Sequence, residues 1–259
     1  MNSALKHPRT TCSQHGLSLI ELMVAMTIGC FLILGVTQIF INNQKSYLFQ
    51  QSQVGNQENG RFALAVLGQE LSRAGYRSKP TTFFAASSGL GCDFPKGTSV
   101  YALSSTALCI QYQAANRSDL TCQGAALSNA DQTTIAIPYN QNNPIVIEKI
   151  ALDTATHSIT CTVGSNTQQL VTGVLDLRFD YGAGTEEKTV SSFSSAPTGV
   201  IGAVRYTALM QSGTSSMLDT TATSSVLTDW NNRYTTKYED TSKIYQIVQS
   251  TVMLRNQMP

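Results

Sequence analysis

From Leu17 to Ile41 the chain reads LSLIELMVAMTIGCFLILGVTQIFI, a run of 25 residues with one charge, Glu21. At about 1.5 Å of rise per residue, a helix of that length covers roughly 37 Å, more than the ~30 Å hydrocarbon core of a bilayer. The run therefore predicts a transmembrane helix. A secretory apolar region is shorter, about 7 to 15 residues, and leads into a small-residue cleavage site. Here the run gives way to Asn42, Asn43, Gln44 and Lys45. Lys6 and Arg9, with His7 and His15, precede the span, and only Lys45 follows it closely. Positive charge stays on the cytoplasmic side, so the amino terminus is expected inside and the bulk of the chain exported in a single pass.

With 42% hydrophobic residues in 259, the chain has enough apolar surface to bury a core, which excludes global disorder. Lys+Arg 17 against Asp+Glu 16 gives a net charge of +1, too small to attract nucleic acid or anionic lipid. Cys12 lies in the basic leader and Cys30 in the span, leaving Cys92, Cys109, Cys122 and Cys161 in the exported part. Four cysteines in an oxidising compartment predict two disulfides with three pairings open, Cys109 and Cys161 both being candidate partners of Cys92. No C-x-x-C pair and only one downstream histidine, His157, accompany them, so no metal and no cofactor are expected.

The motifs of enzymes are missing as well. There is no G-x-S-x-G elbow, Walker loop or H-E-x-x-H, and the adjacent acids Glu186 with Glu187 and Glu239 with Asp240 read as solvated. Trp230, Tyr234 and Tyr238 stand near Arg233 and Lys237. Such a series can stack on nucleic acid or glycan, but packing is the commoner use of aromatics and is the expectation here.

Glu21 needs a reason, because a carboxylate in hydrocarbon costs on the order of 2.5 to 3.5 kcal/mol. It stands in the run Gly16, Leu17, Ser18, Leu19, Ile20, Glu21, Leu22, Met23, Val24, Ala25 behind a short basic leader. This run resembles the prepilin signature of type IV pilins and type II secretion pseudopilins. The resemblance implies that a prepilin peptidase cuts between Gly16 and Leu17 and methylates the new amino terminus at Leu17. It also implies that Glu21, fifth in the mature chain, pairs with that amine in a neighbouring subunit. Many members of the family have phenylalanine at the first mature position, from which Leu17 departs.

Beyond the span, residues 42–75 read as a polar continuation of the helix, with Leu64, Leu67, Leu71 and Ala74 at helical spacing and Gly75 as a stop. Glycines 29, 35, 55 and 60 mark places where it can bend. The following part reads as mainly β. Candidate strands are Val100 to Leu103, Leu108 to Gln113, Thr133 to Ile137, Ile145 to Leu152, Ser158 to Val163, Val174 to Tyr181, Val200 to Met210 and Tyr245 to Leu254. From Leu175 to Tyr181 apolar and charged side chains alternate, the pattern of a half-buried strand. Asn140 to Pro144 and Gly182 to Pro197 read as loops, and Ser212 to Ser242 as a long Ser/Thr-rich loop.

Three segments narrow the resemblance. QENGRFALAVLGQELSRAGY (57–76), QLVTGVLDLRFDYG (169–182) and TVMLRNQ (251–257) are similar to the helix exit, a central strand and the closing strand of the PilW group of minor pilins. The implied fold is α+β, a pilin-like ladle: a long transmembrane helix packed on a mainly antiparallel β domain. Its divisions are a leader (1–16), a membrane and polymerisation helix (17–41), a continuation (42–75) and a globular domain (76–259). The implied function is that of a minor pilin acting in a priming or tip complex for motility, adhesion or DNA uptake. Implied partners are other minor pilins, the major pilin, the prepilin peptidase, the inner-membrane assembly platform and a tip adhesin, with no direct nucleic-acid contact. The implied location is the bacterial inner membrane and then the fibre. A J-type type II secretion pseudopilin and a membrane-tethered binding protein are the alternatives.

Overall fold

The computed structural model describes residues 16, 18–79, 83–135, 143–184, 190–213 and 224–257. The leader residues 1–15 and Leu17 lie outside them. Two compact units divide the chain, Met1–Tyr47 and Leu48–Pro259, and the long helix α1, Leu19–Arg73, contributes to both.

In the first unit α1 is apolar on all sides. Leu19, Ile20, Met23, Phe31, Leu34, Ile39 and Phe40 are exposed, with no partner among the described residues. Its threonines are satisfied by the helix's own carbonyls, as a low-dielectric surrounding demands. Thr27 Oγ1 reaches the Met23 and Val24 carbonyls at 2.9 Å each, and Thr37 Oγ1 reaches Ile33 at 2.8 Å. By length and composition this part can cross a membrane.

In the second unit α1 becomes one-sided. Ser52, Asn56, Gly60, Ala63, Leu67 and Leu71 are buried at three- and four-residue spacing. They pack on two antiparallel sheets. The first is a meander of β3 (Val100–Ser104), β4 (Ala107–Gln113), β5 (Ile145–Asp153), β6 (Ser158–Val163) and β7 (Asn166–Thr172). The second has the order β11-β10-β8-β9, with β8 at Val174–Gly184, β9 at Val190–Ser194, β10 at Val200–Gln211 and β11 at Tyr245–Met253. A small hairpin pairs β1 (Ser87–Gly89) with β2 (Cys92–Phe94). The chain is thus α+β, a long apolar amino-terminal helix followed by an antiparallel β domain.

One core serves both sheets, bringing Ala63, Leu67, Leu71 and Ala74 of the helix together with Leu108, Ile110, Leu177, Phe179, Val204 and Tyr206. The Tyr206 hydroxyl donates to the Leu64 carbonyl at 2.9 Å. At Gly60 the helix runs so close to β11 that an added Cβ would lie 2.9 Å from Val248 Cγ1. Gly75, at φ +79°, ends the helix in the left-handed region. Its amide then donates to Gln111 O at 2.9 Å, and Gln113 donates to Tyr76 O at the same distance, so the exit runs beside β4.

Five segments differ from the sequence expectation, the first being the hairpin of β1 and β2, which precedes the earliest expected strand. In place of a strand from Thr133, Asn129–Thr134 forms helix α2. Ser128 Oγ accepts from the Asp131 amide at 3.1 Å and donates to its carboxylate at 2.6 Å, and this cap outweighs the β preference of two threonines. Ala136 and Ile137 lie outside the described residues. β7 was not anticipated because its exposed residues Asn166 to Gln169 show no alternation. β9 falls in the segment read as a loop and pairs with β8 through Tyr181 and Ser194. Within the Ser/Thr-rich segment, Ser225–Tyr234 forms helix α3, which buries Leu227 and Trp230.

Candidate functional site

The amino-terminal signature lies in the first unit. Gly16 is exposed, with no heavy atom within 4 Å of an added Cβ. The Ser18 carbonyl accepts from the amides of Glu21 (3.0 Å) and Leu22 (3.2 Å) to open α1. Glu21 therefore occupies the first turn, where the helix dipole favours a carboxylate. Leu17, the predicted methylation site, lies outside the described residues.

A second cluster lies where α1 leaves the core. Arg73 Nη1 meets Glu70 Oε2 at 3.0 Å, its Nη2 donates to Leu120 O at 2.7 Å, and its guanidinium lies 4.4 Å from the Tyr112 ring centroid. Asn256 donates to the carbonyls of Ser72 and Ala74, capping the helix end and giving the closing Arg-Asn pair a structural use. An open cavity of about 250 Å³ here is lined by Arg73, Tyr76, Tyr112, Gln113, Asp119 and Asn256 among others. Its lining groups already bond within the protein: Asp119 takes the amides of Ala115 and Asn116.

Behind Tyr112 lies Glu148 of β5, entirely buried. Its Oε1 accepts from the Tyr112 hydroxyl at 2.7 Å and from the Cys122 amide at 2.9 Å. Burial pushes this carboxyl up to about 7, and the nearby Glu70 adds to the rise, while the two hydrogen bonds and Arg73 oppose it. Burial likewise raises the Tyr112 phenol, and the Glu148 charge raises it further. Sequence reading missed Glu148, which looks like one member of a solvated Glu-Lys step.

A pH dependence follows. From about pH 4.5 to 7 the folded chain holds a proton on Glu148 that the unfolded chain has released, so stability falls as pH rises through that window and levels off above it. Glu148→Gln is expected to remove this fall, amounting to about 3 kcal/mol, in denaturant unfolding of the two proteins between pH 4 and 8. Parallel pH profiles for the two chains would contradict it.

The cysteines form two disulfides, Cys92–Cys109 and Cys122–Cys161. The first sits in an apolar cluster with Phe94, Tyr101, Leu103 and Ile147. The second lies beside Glu148: one carboxylate oxygen and both sulfurs fall within 4.8 Å of one another. Joined to each other, the sulfurs are not thiolate ligands, so the trio is no metal site in this state.

The aromatic series packs inward. Trp230 is fully buried, its ring 4.5 Å from that of Tyr234, and its Nε1 donates to Asp176 Oδ2 at 3.1 Å. Asp176 also meets Arg178 at 2.8 Å. Asn231 holds the following turn by accepting from the Tyr238 amide and donating to the Tyr238 carbonyl. A buried indole offers no face to a base or a sugar, and the series serves to fix α3 on the sheet.

Parts of the chain are similar to known protein families. The family model of Type IV Pilus-assembly protein W, PilW, matches residues 140–256, and that of the Prokaryotic N-terminal methylation motif matches residues 12–37. A type IV-like pilin from Thermus thermophilus is similar at 11% identity and a TM-score of 0.41, over 77% of this chain and 97% of that one. No curated protein matches. The apolar helix, the methylation motif and the β domain define a type IV pilin-like protein anchored in the membrane by its amino-terminal helix. Within that class, the carboxy-terminal part of the chain, residues 140–256, is similar to the PilW family of pilus-assembly proteins.

Proposed function

We propose that this chain is a minor pilin, cut between Gly16 and Leu17, methylated at the Leu17 amine and polymerised through residues 17–41. The observation that carries the reading is Glu21, placed in the first turn of a helix whose outward apolar side chains find no partner among the described residues. An isolated carboxylate and an isolated amine each cost several kcal/mol when desolvated, on the order of the penalty for any buried ion, so pairing them fixes the register between subunits. On this reading residues 1–16 are a leader, residues 42–75 continue the helix outside the membrane, and the β domain from residue 76 faces the periplasm while the leader stays in the cytoplasm. The partners are then other minor pilins, the major pilin, the peptidase and the assembly platform, with roles in motility, adhesion or DNA uptake set by the fibre it joins.

The prepilin signature is shared with type II secretion pseudopilins, and the PilW match over residues 140–256 favours the pilus. Deleting the gene tests the choice. Loss of surface fibres with secretion intact, restored by the wild-type chain, is expected, together with recovery of the protein in sheared fibres. Intact fibres with blocked secretion would assign it to the secretion machine, and neither defect would leave a tethered binding protein.

A further inference from the structure

Glu148 has one oxygen committed and one without a partner. Oε1 takes the Tyr112 hydroxyl and the Cys122 amide, while the buried Oε2 accepts no hydrogen bond from the described residues. Arg73, whose charge reaches Glu148, is held by Glu70 and the Leu120 carbonyl. What remains around the carboxyl is the sulfur pair, within 4.8 Å. Cys161 is completely buried, whereas Cys122 is 9% exposed, so an external disulfide reaches Cys122 first.

We propose that Glu148 is the general base that deprotonates the Cys161 thiol as the Cys122–Cys161 bond closes. A small-molecule disulfide first exchanges with Cys122, forming a mixed disulfide and releasing one thiol. The Cys161 thiol passes its proton to the Glu148 carboxylate, and the thiolate attacks Cys122 Sγ. The bond from Cys122 to the small molecule breaks, its electron pair leaving on a second thiolate that takes a proton from water. The protein dithiol has lost two electrons, the oxidant disulfide has gained them, and Glu148 returns its proton to solvent. Burial helps, since a carboxyl held near 7 is a stronger base than an exposed one yet still ionises near neutrality. The charged and titratable groups facing it are Glu70 and Arg73 from α1 and Tyr112 from β4. Cys92–Cys109, set in its apolar cluster, is an internal control within the same molecule.

The test uses the full chain in detergent micelles, reduced under native conditions and reoxidised with glutathione disulfide. Samples are quenched with acid, alkylated and mapped by peptide mass spectrometry, so that the two closures are timed separately. Glu148→Gln should slow Cys122–Cys161 closure on the order of tenfold near neutral pH, leave Cys92–Cys109 unchanged, and approach wild type at about pH 9, where thiols ionise unaided. Should the variant not fold, the wild-type profile decides: only the Cys122–Cys161 rate should show an inflection near the Glu148 ionisation. Equal slowing of both bonds, no slowing, or identical pH profiles would overturn the proposal. So would stoichiometric zinc retention by the reduced chain that needs Glu148 while closure rates stay unaltered, which would assign the trio to a metal.

Discussion

Glu21→Ala is expected to keep this chain out of assembled fibres, lowering its amount in the sheared fibre fraction about a hundredfold while leaving it abundant in the membrane. The magnitude comes from pairing. Breaking a buried ion pair by removing one partner costs about 3 to 5 kcal/mol, because the other charge remains desolvated, and about 1.4 kcal/mol is worth a factor of ten. Here the stranded charge is the new amine of a neighbouring subunit. The substitution makes the span more apolar, so insertion is not weakened, and Gly16 is untouched, so cleavage is preserved. Immunoblots of sheared and membrane fractions from the same cells measure the partition. Undiminished incorporation would contradict the role given to Glu21.

Trp230→Ala is expected to destabilise the globular domain by about 3 to 5 kcal/mol, the usual range for a buried large aromatic. Trp230 is fully buried between Leu209, Leu227 and Tyr245, so truncation leaves a cavity in the contact that holds α3 to the sheet. It also removes the indole donor from Asp176, a buried carboxylate that also holds Arg178 and the Leu177 amide. Trp230→Phe keeps most of the packing and loses only the N–H, a change of about 1 to 2 kcal/mol. Circular dichroism melts should place the alanine variant about 10 °C below wild type, with the phenylalanine variant between them. Wild-type stability in the alanine variant would show that α3 contributes nothing to the fold.

The legible parts of this chain were those in which local pattern and tertiary role coincide. The apolar run and Gly16 to Ala25 are read residue by residue, because bilayer crossing and peptidase recognition act on contiguous sequence. Strand β8 was visible because Leu177, Phe179 and Tyr181 face the core while Arg178 and Asp180 do not. Helix α3 left a signal in Leu227, Trp230 and Tyr234 at spacings of three and four, behind Ser224 at the cap position, but its Ser/Thr-rich flanks masked it. β7 left little: Asn166 to Gln169 are exposed on an edge strand and show no alternation, and only Leu170 and Val171 turn to the core.

The buried cluster was illegible for a different reason. Glu148 becomes a perturbed carboxyl only when β4 pairs with β5, setting Ile110 opposite Glu148 and Tyr112 opposite Val146, and when the Cys122 amide reaches it from a distant loop. The disulfide pairing is set by the same long-range registers, which cysteine spacing does not encode. Asn256 at the helix exit is a similar case, its partners lying more than 180 positions earlier in the chain.

The central claim is that the chain is processed as a prepilin, and intact mass with amino-terminal sequencing of the protein from its native membrane tests it most directly. In cells with the peptidase the account predicts a chain that starts at Leu17 and carries one added methyl group, and in cells without it an unmethylated chain that retains the leader. A start at Met1 in both, or a cut downstream of Ile41, would contradict it.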